Sequence, residues 1–165
     1  MDNSLAKEYS VKSVKNRCGG EVRCVLLRRQ EPVAKYESTG GGQFVWNDEN
    51  IKQLVLGGPT DQSVSERQRF VKALEDLTLV VNGSPSVVTP VEFMEGLIEE
   101  FEIDKQLRRL CRDNTVFFLK SDFDDDVRVL HSSYRGDVSR LALEAKYGVG
   151  EVVEIVNERY KGGQL

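Results

Sequence analysis

Short β-type runs follow one another early in this chain before any long helical period appears, and that order constrains the fold more than any other feature. Glu21-Val22-Arg23-Cys24-Val25-Leu26-Leu27-Arg28 is one such run, Val33-Ala34-Lys35-Tyr36-Glu37 a second and Gln43-Phe44-Val45-Trp46 a third. A polar turn ending at Pro32 separates the first two, and Gly40-Gly41-Gly42 precedes the third, the punctuation expected of hairpins. Leu77-Thr78-Leu79-Val80-Val81, Thr115-Val116-Phe117-Phe118-Leu119 and Val127-Arg128-Val129-Leu130 continue the series. Strands that pair with their sequence neighbours are antiparallel, and helices that do not alternate regularly with them place the chain in the α+β class. The expectation is a mostly antiparallel sheet of about five to six strands, with packed helices and a C-terminal helical hairpin.

The clearest helix start is Thr89-Pro90-Val91-Glu92, which combines a capping threonine, proline at the first helical position and glutamate at the third. Behind it, Met94, Leu97, Ile98 and Phe101 share one face, and Glu95, Glu99 and Glu100 lie on the other. Ser63 and Glu66 have capping-box spacing ahead of Phe70, Val71, Leu74 and Leu77. A brief helix is expected from Asn47 or Asp48 to Leu56, and another over 105–112 turns Leu107, Leu110 and Cys111 inward. Asp137 is placed to cap a helix with Val138, Leu141, Ala142 and Ala145 on its inner face. The following segment, bent at Tyr147-Gly148-Val149, resembles a helix-turn-helix whose second helix spans 150–160.

A chain of 165 residues fits one domain. Residues 1–20 read as a flexible basic N-terminal arm ending in Cys18-Gly19-Gly20, and 21–165 as the single domain. Residues 1–30 carry seven basic and three acidic side chains, residues 31–100 carry five and twelve, and the remainder is near balance. The acidic middle argues against a surface that binds nucleic acid everywhere, because such affinity rests on clustered Lys and Arg. No stretch is apolar for long enough to span a bilayer, so no membrane partner is expected. Three widely spaced cysteines, Cys18, Cys24 and Cys111, are odd in number and fit reduced thiols in the cytoplasm.

No residue set names a reaction, and no cofactor is expected. Asp122, Asp124 and Asp126 gather the hard oxygen ligands that divalent cations prefer, at the spacing that opens a helix–loop–helix calcium loop. Val127 stands where that loop needs glycine and Ser133 where it needs a bidentate glutamate, so a solvated turn is the favoured reading. The five-residue gap between Cys18 and Cys24 does not supply a zinc-binding pair, and His131 is the only histidine. The leading functional expectation is a non-enzymatic interaction or regulatory protein, self-associating or binding another protein through Glu95, Glu99 and Glu100 and through Arg108, Arg109 and Arg112. One alternative is nucleic-acid binding through the arm (Lys12, Lys15, Arg17) and the C-terminal pair (Arg140, Lys146, Arg159). The other is a divalent-metal-dependent phosphoester enzyme built on Asp122, Asp124 and Asp126.

Overall fold

The computed structural model describes residues 6–16, 19–47, 65–75, 77–81, 84–121 and 126–160. It is an α+β protein with antiparallel strand pairing throughout the described residues. The chain forms two compact units, Met1–Phe101 and Glu102–Leu165, where the sequence reading had one domain.

Unit 1 is built on a meander of β1 (Tyr9–Asn16), β2 (Val22–Arg28), β3 (Glu31–Glu37) and β4 (Gln43–Trp46), hydrogen-bonded in that order. Residues 9–16 were expected in the loose arm, yet they pair with β2 from Tyr9↔Arg28 to Asn16↔Val22. Their alternation is hidden because the register shifts between Lys12 and Lys15, where Ser13 takes a left-handed φ of 56°. A bulge of this kind adds a residue and throws the side chains out of period two. Helix α1 (Glu66–Glu75) follows the described gap, and Ser65 with Gln68 forms its capping box: the Gln68 N–H donates to Ser65 Oγ at 3.2 Å and the Ser65 N–H to Gln68 Oε1 at 3.0 Å. Ser63, expected to cap, and the brief helix expected from Asn47 or Asp48 to Leu56 lie outside the described residues, apart from Asn47 itself.

Helix α2 (Pro90–Asp113) starts at the expected box, where the Thr89 N–H donates to Glu92 Oε2 at 2.8 Å and the Glu92 N–H to Thr89 Oγ1 at 3.2 Å. Those bonds hold the Glu92 carboxyl below its ordinary range. The two helices expected over 89–101 and 105–112 are thus one. In unit 1, Tyr9, Cys24, Leu26, Ala34, Tyr36 and Trp46 of the sheet pack on Phe70 and Leu74 of α1 and Met94 of α2. Five aromatic rings make this core directional: Phe70 lies 5.2 Å from Tyr9 and 5.5 Å from both Phe44 and Trp46, and 5.7 Å from Phe93. Strands β5 (Thr78–Val81) and β6 (Ser84–Val87) form a separate hairpin.

Unit 2 is a three-stranded sheet ordered β8-β7-β9, with β7 (Thr115–Leu119), β8 (Arg128–Leu130) and β9 (Val152–Ile155). Val116 joins Leu107, Cys111, Val156 and Tyr160 in one cluster, while Phe117 and Leu119 join Leu143, Val152 and Ile155 in another. A strand buried on both faces has no polar alternation, which is why 115–119 reads as a continuous apolar run. Helix α3 (Asp137–Tyr147) covers the second cluster through Leu143 and Tyr147.

The C-terminal helical hairpin is corrected by β9. Residues 152–155 pair with β7, and a short 3-10 turn over Val156–Tyr160 replaces the second helix. Val152 and Val156 are equally good strand residues, and the apolar spacing that fitted a helix is the spacing of a strand running into a tight turn. The buried Asn157 decides the matter energetically: its Oδ1 accepts the Val116 N–H at 2.8 Å, and its Nδ2 donates to the carbonyls of Cys111 at 3.1 Å and Asn114 at 2.9 Å. It thereby closes the C-terminal end of α2, whose last carbonyls have no partner within the helix.

Candidate functional site

Glu95, Glu99 and Glu100 are exposed toward the N-terminal half of α2, and Arg109 and Arg112 are exposed toward its C-terminal end. Only the charges in the terminal turns, Glu92 and Arg112, meet the helix dipole, each with the sign it favours. Arg108 is turned into its own unit. Its Nε donates to Asp104 Oδ2 at 2.7 Å, and its guanidinium lies 4.7 Å from the Tyr160 ring centroid. The Tyr160 hydroxyl donates to the other Asp104 oxygen at 2.7 Å. Burial works to raise the Asp104 carboxyl, but the Tyr160 bond and the Arg108 charge outweigh it and hold that carboxyl below its ordinary value. The same burial, aided by Asp104, pushes the Tyr160 hydroxyl up to about 12.

The basic residues of the nucleic-acid alternative are scattered and largely engaged. Lys12 and Lys15 are exposed on β1, at the sheet's edge and beside its bulge, where charge and irregularity guard unpaired backbone against other strands. Arg140 Nη2 donates to Glu158 at 3.0 Å, Arg159 Nη2 to Glu154 at 2.6 Å, and Lys146 Nζ lies 4.9 Å from the Tyr147 ring centroid. Arg17 lies outside the described residues. With 152–155 in a strand and 156–160 in a 3-10 turn, the described residues contain no second helix after α3 to serve as a reader.

Asp122 and Asp124 also lie outside the described residues, and Asp126 is exposed. Among the described residues no group of His, Cys, Asp and Glu is placed to hold a metal ion. Cys24 and Cys111 are buried with free thiols, and burial pushes Cys24 up to about 11 and Cys111 upward as well. A protonated, inaccessible thiol is a poor ligand and a poor nucleophile. His131 is exposed, with Nδ1 3.0 Å from Asn114 Oδ1.

The residues expected on the inner face of α3 are instead exposed. Val138 and Leu141 are 66% and 65% exposed, and Val149, just past the helix, is 88% exposed. Ala142 and Ala145 are exposed beside them. Positions 138, 141, 142 and 145 follow helical spacing and share one face of the helix. The inner face is set by other residues: Leu143 is fully buried, Tyr147 packs on Phe117 with ring centroids 5.6 Å apart, and Ser139 is buried with its Oγ accepting the Arg135 N–H at 2.8 Å. Glu158 fixes the same orientation, taking the Tyr134 hydroxyl at 2.6 Å and Arg140. Gly136, with φ of 60°, rather than Asp137, occupies the cap position, and it makes no side-chain capping bond.

The stripe ends where Gly148, at φ 108°, stops the helix and its N–H donates to the Glu144 carbonyl at 2.8 Å. Two small residues at its centre let another helix approach closely, and the aliphatic residues around them supply apolar area. Compared with family models, curated proteins and solved structures, the chain matches none.

Proposed function

We propose that this is a non-enzymatic interaction protein, acting in the cytoplasm, that binds an apolar helix of another protein through the outward stripe of α3. The observation that supports this reading is the inversion of the helix: its strongest apolar spacing, Val138, Leu141, Ala142 and Ala145, faces out, while a serine and a tyrosine are turned in. Exposed apolar side chains gathered in line, rather than scattered singly, mark protein contacts. A helix docked along the stripe would read positions at spacings of three and four, the usual mode for a helix in a groove.

The double change Val138→Lys, Leu141→Lys tests it, since both side chains point away from the unit's own core and their loss leaves that core intact. Affinity capture with wild type and variant, each with and without nuclease, together with sedimentation velocity, provides the readout. Protein partners kept after nuclease and lost in a variant of unchanged melting temperature are expected. Equal capture by both proteins, or capture abolished by nuclease, would sink the proposal.

A further inference from the structure

The sheet face of unit 1 that turns away from α1 and α2 carries its charges in register. Cys24, Leu26, Ala34, Tyr36 and Trp46 belong to the core, so the residues between them along each strand point the other way. Strand pairing sets these into two rows across the four strands: Lys12, Val25, Lys35 and Val45 in one, and Lys15, Arg23, Glu37 and Gln43 in the next. Lys12, Lys15, Lys35 and Val45 are exposed. Arg23 is tied to Glu37 across β2 and β3, while Lys15 stands directly opposite Arg23, a like-charge pair that repels. A hollow of about 400 Å3 opens over the rows, with Lys15, Arg23, Val25, Lys35, Glu37 and Val45 in its lining.

The first part of α2 covers the opposite face of that sheet, and its own outward side has the opposite sign. Met94 is fully buried and Leu97, Ile98 and Phe101 pack on the core, which turns Glu95, Glu99 and Glu100 outward. Gly96 lies exposed among them, on the same side of the helix. A glycine inside a helix destabilises it relative to alanine. Within unit 1 nothing calls for one here: no atom of the described residues lies within 4 Å of the place a Cβ would take, and the backbone at 96 is not left-handed. A bare stretch of helix backbone ringed by carboxylates suits a surface that comes up against α2 from outside.

We propose that unit 1 binds a second copy of this chain face to back, with the acidic side of α2 in one protomer laid on the lysine rows of the next. Glu95, Glu99 and Glu100 meet Lys12, Lys15 and Lys35, and Gly96 lets the helix backbone come close to Val25 and Val45. The flexible four-carbon stem of lysine spans the difference between helix and strand spacing, which a fixed guanidinium fork would not. Exposed ion pairs are weak one at a time, so the contact depends on both rows together and is sensitive to salt. The two surfaces are unlike and lie on opposite sides of the unit, so every added copy leaves one of each open, and association runs on into chains or closes as a ring. The α3 stripe takes no part, so either proposal can fail without the other.

Sedimentation velocity of the full chain over a range of concentrations reads the association, at low salt and at about 0.5 M, where charges are screened beyond roughly 4 Å. Species larger than a dimer at low salt, dissociating at high salt, are expected. Lys12→Gln with Lys35→Gln, and separately Glu95→Gln with Glu99→Gln, should each leave monomers. Mixing those two variants should restore a dimer and stop there, since each supplies the surface that the other lacks. Gly96→Gln should weaken association roughly tenfold while the melting temperature holds or rises, because the position opens on space and glutamine favours a helix over glycine. A wild type that stays monomeric at low salt, association indifferent to both glutamine pairs, or a mixture that fails to dimerise would each overturn the proposal. A monomer whose lysine rows instead bind polyglutamate or single-stranded DNA would overturn it too, and would give that face to a different acidic partner.

Discussion

Among the described residues, unit 1 buries one face of its sheet beneath α1 and the first part of α2, and Lys12, Lys15, Lys35 and Val45 are exposed. Unit 2 buries β7 on both faces in two small clusters. The first arrangement draws its cohesion from a single aromatic group around Phe70. The second has too few apolar residues per face for that and relies on a buried amide, Asn157, to tie helix end to strand. One-sided burial leaves the other face open for charge. Two-sided burial leaves the outer face of the covering helix α3 exposed, and there the apolar stripe lies.

The comparison breaks first at Phe70. Phe70→Ala removes the ring that touches Tyr9, Phe44, Trp46 and Phe93 and should cost about 3–5 kcal/mol. Denaturant melts followed by amide exchange at Leu26 and Ala34 measure it. A loss below about 1 kcal/mol would mean that the aromatic group is not the keystone described here.

Next in size is Asn157→Ala, which strands the Val116 N–H and the carbonyls of Cys111 and Asn114. About 2–3 kcal/mol is expected, since each buried polar group left unmatched is penalised. Exchange protection at Val116 and Phe117 should fall most. Protection unchanged there would show that hydrophobic contact alone holds β7.

The smallest effect contrasts two tyrosines. Tyr9 and Tyr160 both titrate near 12 rather than 10. A hydroxyl raised on folding contributes stability that is complete below the unfolded value and is lost as pH climbs from about 10 through 12. Replacing either with Phe should therefore move the alkaline unfolding midpoint upward relative to stability at pH 7. At neutral pH the two diverge. Tyr160→Phe gives up a bond to Asp104 and should cost roughly 1–2 kcal/mol, whereas Tyr9→Phe gives up none. Equal costs at neutral pH would show that the Tyr9 hydroxyl is satisfied in solution.

Local signals carried much of this architecture. Thr89-Pro90-Val91-Glu92 starts a helix because its bonds are made within four residues, and strands β2 to β4 stand out because their alternation and turns are equally local. The α+β class and antiparallel pairing follow from them. Strand β1 escaped notice because Ser13 breaks the period, and β9 because valines at 152, 153 and 156 serve helix and strand alike. The charged faces of α2 were legible as positions, but the Asp104 and Tyr160 contacts of Arg108 were not.

By itself the chain determined the extended segments β2 to β4 and β7, and where α2 begins. Tertiary structure decided which side of α3 faces out, because Leu143, Tyr147 and the Ser139 hydroxyl compete with Val138 and Leu141 for one interior, and only the partners on β7 and β9 settle that competition. It also decided the lysine rows of unit 1, where Lys12, Val25 and Lys35 stand side by side only through strand register. Periodicity records how a residue sits on its own element, and it holds no information about which neighbour will cover that element.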